Sequence, residues 1–437
     1  MKQYSSYKDS GIEWIGEIPS HWDFNKVGNN TYVKGRIGWK GLRSEDFIDE
    51  GPFLITGTDF NNDGSVKWDS MYHVSKERYE EDPFIQIREG DVLITKDGTI
   101  GKVVIVEHLL GETCLNSGIF LTRCINGQYI QKFFYWTLLS NVFKIFVDYN
   151  SGGSTIQHLY QNVFVNLKFP LPPISEQEHI VSYLDDKTNK IDELIQKKLR
   201  KIDLLKEYRT SLINTVVTKG LNPNVPMKDS GIEWIGEIPS HWETSKYKTL
   251  GNRFTQNIDV SEFQNREVIH YSIPNVQENG IGILESGEDI DSSKILLKGG
   301  ELIISKLNPR KSCVSIVEPN NDFLIVGSGE FVTLVPDKGN IKFLFYFVKS
   351  QQFTEYLDSC VESVTRSHQR VNPYIIYSSL IPLPPISEQE HIVSYLDEKT
   401  SQIDKTIDIE KKKIELLKEY RQSLISNVVT GKIKVIE

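Results

Sequence analysis

The sequence predicts an α+β chain: two mixed α/β domains separated by two long helices that pair as an antiparallel coiled coil, with pseudo-two-fold symmetry. Two observations predict it. Much of the 437-residue chain is written twice. Each copy also closes on a stretch of about 40 residues that carries a heptad seam, free of Pro and Gly. The expected divisions are a first variable domain with its N-terminal constant segment (1–169), a central constant helix (170–225), a second variable domain (226–381) and a C-terminal constant helix (382–437).

The repeat comes first because it decides the architecture. Lys8-Asp-Ser-Gly-Ile-Glu-Trp-Ile-Gly-Glu-Ile-Pro-Ser-His-Trp22 recurs letter for letter as Lys228 to Trp242, an offset of 220. Pro170-Leu-Pro-Pro-Ile-Ser-Glu-Gln-Glu-His-Ile-Val-Ser-Tyr-Leu-Asp185 recurs as Pro382 to Asp397, an offset of 212. Between these blocks the copies share only scattered residues. A repeat of this length means two whole domains rather than a solenoid. The constant parts are expected to face the same partner twice, or each other. The variable parts share a fold and bind different things. Duplication followed by drift is the bland alternative, but drift does not leave long blocks untouched beside rewritten ones.

After Pro170-Leu-Pro-Pro173, Ser175 with Glu178 three residues on reads as a capping box. The helix then runs to Thr218, ahead of Gly220. Leu184, Thr188, Ile191, Ile195, Lys198, Ile202, Leu205, Arg209, Leu212 and Val216 alternate in steps of four and three. Leu396, Thr400, Ile403, Ile407, Glu410, Ile414, Leu417, Arg421, Leu424 and Val428 repeat the register. A helix of about 40 residues is about 60 Å long and cannot fold back into a small core. Its seam needs a partner, and the other copy is the obvious one. Lys198 and Glu410 hold the same mid-helix position. Symmetry-equivalent residues meet only when the helices run antiparallel, and opposite charges there suit that crossing.

In the variable domains, Gly90-Asp-Val-Leu-Ile-Thr95 and Val103-Val-Ile-Val106 flank a turn from Lys96 to Lys102. Gly300-Glu-Leu-Ile-Ile-Ser305 and Val314-Ser-Ile-Val317 flank the loop from Lys306 to Lys311. Both read as strand–loop–strand. Ser117-Gly118 and Ser328-Gly329 follow at similar distances. One apolar, aromatic helix is expected around Phe133–Phe146 and another around Ile341–Tyr356. Each domain then ends in a polar loop, Ser151 to His158 or Ser363 to Arg370. In the second repeat's register Gln157 falls on Gln369 and His158 on Arg370. Such loops carry residue types that hold nucleic acid, although any single polar loop residue is more simply a wet one. His21, His241, His179 and His391 read as structural.

The apolar and charged fractions, 39% and 25%, are those of a soluble globular protein. No apolar run approaches the ~20 residues of a membrane span, and Met1 to Ser10 lack the apolar block of a signal peptide. A cytoplasmic address is expected. Cys114, Cys124, Cys313 and Cys360 are scattered, with no CxxC pair, which argues against a zinc site or a disulfide frame. The net charge of −9 leans against nucleic-acid binding, since phosphate neutralisation needs Lys and Arg. A local basic face can still coexist with acidic surface that meets partners.

Catalytic motifs are missing. Asn372-Pro373-Tyr374 lacks the second proline of an adenine methyltransferase motif. Gly280-Ile-Gly282 lacks a following helix. Gly98-Thr-Ile-Gly101-Lys102 has its glycines too close for a phosphate loop, and Val103 replaces the required Ser/Thr. No Gly-x-Ser-x-Gly or His-Glu-x-x-His is present.

The whole chain resembles the specificity subunit of type I restriction–modification systems. The resemblance is carried by Trp14-Ile-Gly-Glu-Ile-Pro-Ser-His-Trp22 opening each half and by Gly35-Arg-Ile-Gly-Trp-Lys-Gly-Leu42. Gly90-Asp-Val-Leu-Ile-Thr-Lys-Asp-Gly-Thr-Ile-Gly-Lys102 and Leu171-Pro-Pro-Ile-Ser-Glu-Gln177 complete it. It implies two target recognition domains, each reading one half of a split DNA site, held apart by the antiparallel helices. It also implies two methyltransferase (modification) subunits that modify adenine, and motor–nuclease (restriction) subunits that cleave. S-adenosylmethionine, ATP and Mg are then expected on those partners, and no cofactor, metal or catalytic residue on this chain.

Candidate DNA-binding residues are Arg36, Lys40, Lys96, Lys102, Ser154, Gln157 and His158 in the first domain. In the second they are Lys306, Asn308, Arg310, Lys311, Arg366, Gln369 and Arg370. Candidate helix-pairing residues are Ile191, Ile195, Lys198, Ile202, Leu205 and Leu212 with Ile403, Ile407, Glu410, Ile414, Leu417 and Leu424. The rival readings are a stand-alone DNA methyltransferase or nuclease, and a structural coiled-coil interaction protein.

Overall fold

A computed structural model describes residues 3–35, 46–61, 63–69, 71–150, 158–361 and 369–435. The chain divides into two compact units, Met1–Lys198 with Lys411–Glu437, and Leu199–Glu410. Both long helices are continuous, Ile174–Lys219 and Ile386–Val429, so each contributes one half to each unit.

Within the second unit the helices run antiparallel. Lys201 Nζ donates to Glu410 Oε1 at 2.9 Å, and Arg209 Nε to Asp404 Oδ1 at 3.0 Å, so the partner number falls as the first rises. The first unit carries the same pair with the helices exchanged, Arg421 Nε lying 3.0 Å from Asp192 Oδ1. The isoleucines of the seam, Ile191, Ile195, Ile202, Ile403, Ile407 and Ile414, are all buried. At about 1.5–3 kcal/mol each they drive the association, with exposed ion pairs adding little. Leu424 is buried, while Leu205, Leu212 and Leu417 are half-buried at the seam's edge. Glu410 is buried as well, and its carboxylate accepts from Lys201 Nζ at 2.9 Å.

Each helix begins one residue before Ser175 or Ser387, so the expected capping box does not form. Pro173 precedes the first turn, and its carbonyl accepts from the Glu176 and Gln177 amides. Proline's fixed φ suits that position, which leaves Ser175 inside the helix. Gln177 takes over as fastener, its Nε2 donating to Pro172 O at 2.8 Å. Gln389 does the same to Pro384 O.

The constant blocks exist to meet one another. In the first unit Glu176 accepts from His21 Nε2 at 2.6 Å, Trp22 Nε1 at 2.9 Å and Tyr4 OH at 3.0 Å. In the second, Glu388 accepts from His241 at 2.8 Å. The helix ends close the same corner. Gly431 has φ +73°, and a Cβ there would lie 2.3 Å from Pro19 Cδ. Gly220, also at +73°, turns beside the buried Trp242.

The variable domains share a four-stranded antiparallel sheet. Its order in the first unit is Thr31–Lys34, Ile119–Cys124, Val92–Thr95, Val103–Ile105. The second repeats it with Gly251–Asn252, Phe331–Pro336, Leu302–Ser305 and Val314–Ile316. Beside it the units diverge: a three-stranded sheet (Tyr72–Val74, Phe47–Ile55, Thr113–Leu115) against a five-stranded one built on Glu267–Tyr271. The single aromatic helix expected in each domain is two, Gln131–Leu138 with Asn141–Asn150, and Ile341–Val348 with Gln351–Ser359. Serine breaks each run. Ser140 Oγ accepts from the Val142 amide, and Ser350 Oγ from Phe353. Among the described residues, no helix is long and apolar enough to cross a membrane.

Candidate nucleic-acid interface

In the first unit the strands Val92–Thr95 and Val103–Ile105 pair with Val92 opposite Ile105 and project the turn from Lys96 to Lys102. Gly98 and Gly101 take positive φ there, which lets the turn close. Thr95 Oγ1 accepts from the Lys102 amide at 3.0 Å. The polar loop is stitched onto this turn: the Leu159 amide donates to Lys96 O at 2.9 Å, Asp97 and His158 form a β-bridge, and the Asp97 carboxylate meets His158 Nδ1. Lys96 is largely buried, with Nζ 3.3 Å from Asp97 Oδ2 and lying over the Phe120 ring. It braces the turn from within. Lys102 is exposed, with no ion pair to another described residue.

The second unit repeats the construction with different side chains. Leu307 and Arg370 form the equivalent β-bridge, and the Val371 amide donates to Lys306 O at 2.9 Å. Asn308, at φ +48°, holds Gln369 on both sides: its amide donates to Gln369 O at 2.7 Å, and its Oδ1 accepts from the Gln369 amide at 3.3 Å. Gln369 Oε1 is buried without a hydrogen-bond partner among the described residues. Arg370 forks onto Glu330, with contacts at 2.8 and 3.2 Å, and Lys306 Nζ lies 3.9 Å from the same carboxylate. Arg310 and Lys311, exposed in the one-turn helix Pro309–Lys311, instead line a cleft with Arg209 and Lys349.

The structure thus gathers Lys96 with His158 in one unit, and Lys306, Asn308, Gln369 and Arg370 in the other. Arg36, Lys40, Ser154, Gln157 and Arg366 lie outside the described residues. Sequence reasoning overlooked the carboxylates: Asp97 and Glu330 each sit at the centre of a loop cluster and hold its cationic groups. Their signal was position, Asp97 directly after Lys96 and Glu330 directly after Ser328-Gly329. The pairing of His158 with Arg370 across the repeat, by contrast, reappears as equivalent bridges.

Other singled-out residues have structural work. Asn372 caps the helix Pro373–Ser378 by accepting from the Tyr374 amide at 2.9 Å, with Pro373 in its first turn. His179 Nδ1 contacts its own helix at Ser175 O. Cys114 and Cys313 are buried, and burial pushes the Cys313 thiol up to about 12. Among the described residues no group of three or more His, Cys, Asp or Glu is placed to hold a metal ion.

Comparison with known proteins matches two stretches, residues 36–204 and 239–419, to the model of the type I restriction modification DNA specificity domain. The type I restriction enzyme MjaVIII specificity subunit of Methanocaldococcus jannaschii is 25% identical over 430 residues, covering 96% of this chain and 94% of that protein. The putative MjaX specificity subunit of the same organism is 25% identical over 442 residues, covering 96% of each. Among solved structures, a chain from work on complex assembly and conformational transition of the type I R-M system superposes with a TM-score of 0.73. It is 15% identical, with 95% of this chain and 99% of that one covered. The HsdS subunit of Thermoanaerobacter tengcongensis gives 0.57 at 14% identity, covering 97% and 100%. At such identities the superpositions speak for the fold. The doubled match across more than half of the chain speaks for the family, and the chain belongs to the type I restriction–modification DNA specificity family.

Proposed function

We propose that this chain reads a bipartite DNA site, one half with each unit, and directs adenine methylation and cleavage carried out by partner subunits in the cytoplasm. The observation that carries the reading is the repeated loop pair. Equivalent β-bridges, Asp97 with His158 and Leu307 with Arg370, join a hairpin turn to a polar loop in both units, while the residues displayed differ. One scaffold with two sets of tips is what reading two unlike half-sites requires. The described candidates, Lys96, Lys102, His158, Lys306, Asn308, Arg310, Lys311, Gln369 and Arg370, supply donors for phosphates and base edges. The turn-bracing role of Lys96 makes it a support for Lys102 and His158. Asp97 and Glu330 occupy the cationic groups until phosphate competes for them.

The long helices serve as spacer. At 46 and 44 residues, about 65–70 Å each, they exceed the ~34 Å between half-sites one helical turn apart. They also serve as the partner face. Leu204 and Tyr208 on one helix, and Leu416 and Tyr420 on the other, belong to the same Leu-Leu-Lys-Glu-Tyr-Arg sequence and stay exposed. A one-turn apolar pair repeated in each unit suits two copies of one partner, the methyltransferase subunit, with motor–nuclease subunits joining the assembly. The chain itself is non-catalytic in this reading. S-adenosylmethionine, ATP and Mg would be held by the partners.

Mapping methylated adenines in host DNA with and without this gene tests the proposal. Loss of methylation at one split motif is expected. An unchanged methylation map, with the partner subunits present, refutes it.

A further inference from the structure

We infer, on the DNA reading proposed above, that Arg370 reads a guanine in the second unit's half-site and that Glu330 is the positioning residue that aims it. One side of the guanidinium is taken. Nε lies 3.2 Å from both Glu330 oxygens, and Nη2 donates to Oε1 at 2.8 Å. Nη1 has no hydrogen-bond partner among the described residues. The end edge, Nη1 with the second N–H of Nη2, is therefore open, and the side chain is 52% exposed. Such an edge presents two parallel donors at a fixed spacing. In the major groove, the O6 and N7 acceptors of guanine match it.

Phosphate also offers paired acceptors, but Glu330 weighs against it. The carboxylate offsets the guanidinium charge and repels an anion drawing up beside it, while a neutral base edge meets donors already aimed. Lys306 is the group left for the backbone. Its Nζ donates to Gly329 O at 3.0 Å and lies 3.9 Å from the same carboxylate, a looser ion pair than that of Arg370. Holding the fork also removes in advance the rotamer freedom that a long exposed side chain loses on binding.

The first unit keeps the carboxylate while moving its origin. Ile119 pairs with Thr95 and Phe331 with Ser305, so Gly118 occupies the place of Glu330, and Asp97 that of Leu307. The amides agree: Lys96 donates to Gly118 O at 2.8 Å, and Lys306 to Glu330 O at 3.0 Å. In the first unit the hairpin turn supplies the acid and a glycine faces it. A Cβ on Gly118 would lie 3.7 Å from Asp97 Cβ, so a second acid there would confront the first. In the second unit the acid stands just before the strand Phe331–Pro336, and leucine holds the turn. From either origin the carboxylate meets the bridged residue, His158 or Arg370. An exposed ion pair contributes little to stability. One rebuilt from another position onto the same bridged residue serves to hold that residue in place. His158, with Nδ1 engaged by Asp97, has only Nε2 left, so the two-donor contact belongs to the second unit.

The test uses the full chain with its methyltransferase subunits and a duplex carrying the split motif that methylation mapping identifies. Each guanine of the motif is replaced in turn by 7-deazaguanine, which lacks the N7 acceptor but pairs normally, and affinity is read by competition. At one guanine the unaltered complex is expected to lose affinity severalfold, and the Arg370→Ala complex to be indifferent there. Replacing that base pair outright should cost the unaltered complex about 5–150-fold and the variant almost nothing. Glu330→Gln keeps Arg370 but loosens its aim, so its penalty at the same guanine should shrink while the thermal midpoint holds. A full penalty in that variant overturns the positioning role. Equal penalties with and without Arg370, or no guanine to which the unaltered complex responds, overturn the inference. So does an Arg370→Ala complex that binds every duplex equally less well, with a salt slope smaller by about 0.9, since that marks a phosphate contact. Should Arg370→Ala not fold, Arg370→Lys, which keeps the charge and loses the fork, takes its place. An unaltered complex that recognises no split motif sinks the DNA reading and this inference together, whereas a motif recognised without a responsive guanine sinks the inference alone.

Discussion

Gln177→Ala probes the fastening of the first recognition domain to its helix. The side chain is fully buried. Its Oε1 accepts from the Ile130 amide at 2.8 Å, directly before the helix Gln131–Leu138, and its Nε2 donates to Pro172 O at 2.8 Å. Truncation leaves one backbone donor and two backbone acceptors, Pro172 O and, at a long 3.4 Å, Gln128 O, without this partner, at about 1–3 kcal/mol for each of the two short bonds. Lost apolar packing adds to this, and a water entering the vacated space subtracts from it. The expected net loss is about 2–4 kcal/mol. For a unit of this size that corresponds to about 4–16 °C in the thermal midpoint. Gln389→Ala repeats the experiment in the second unit, where Oε1 accepts from the Asn340 amide at 2.7 Å and Nε2 donates to Pro384 O. Calorimetry on each variant should show one unit melting early, while mapped methylation weakens at the corresponding half-site. Gln177→Glu keeps the acceptor but turns the donor into a second carboxylate oxygen facing Pro172 O, and is expected to do worse than Ala near neutral pH. Losses under about 1 kcal/mol at both positions would refute the reasoning.

Glu410→Leu removes a buried carboxylate from a seam whose buried positions are mostly isoleucine and leucine, and is expected to leave the midpoint equal or higher, because the desolvation cost disappears with the charge. A fall of several degrees would show that the carboxylate's contacts, that to Lys201 among them, are net stabilising. Glu330→Gln releases Arg370 and Lys306 and should strengthen binding to arbitrary duplex DNA while blurring discrimination at one half-site only; gel-shift titrations against matched and scrambled half-sites decide it. His270 is held below the ordinary histidine range by burial, partly offset by Glu285. Its folded form thus binds a proton less readily than the unfolded form. Stability of the second unit should be complete above the unfolded value of about 6.5 and decline as pH falls through it towards the lower folded value. His270→Gln should flatten that slope in melts across this range, and an unchanged slope would assign it to other groups.

The repeat made the architecture legible, because identical blocks at fixed offsets fix both the number of domains and the register of the helices. The seam was legible because Ile at every third or fourth position has no other use on a chain this long. Helix starts were less so. Ser175 and Glu178 match a capping pattern, yet Pro173 starts the helix one residue earlier and a glutamine side chain does the fastening. The break at Ser140 and Ser350 was hidden inside an apolar run, since serine acts through its local hydrogen bond and not through hydropathy. In the candidate interface, the cations were visible by type, but their neutralisation by Asp97 and Glu330 depends on a pairing that only the folded hairpin creates. The Arg209–Lys349 cleft was wholly invisible, because its residues are brought together from a helix, a loop and a helix junction distant in sequence.

The constant blocks also explain how unlike domains can occupy one frame. Glu176 with His21, Glu388 with His241, and the two glycine turns beside Trp22 and Trp242 join constant residues only to each other. Where the frame must grip a variable domain, it does so through features that survive rewriting. Gln177 and Gln389 accept from backbone amides, of Ile130 and of Asn340, whose side chains do not enter the bond. Asp185 accepts from Trp136 Nε1 at 3.1 Å and pairs with Lys132, while Asp397 accepts from Tyr346 OH at 2.7 Å and pairs with Lys342. An indole and a phenol thus meet the same carboxylate at the same helix position. A variable domain needs only a backbone amide, a lysine one residue into its first aromatic helix and an aromatic donor one turn later to seat on this frame. Exchange of recognition domains between such chains would therefore leave the frame's own bonds intact.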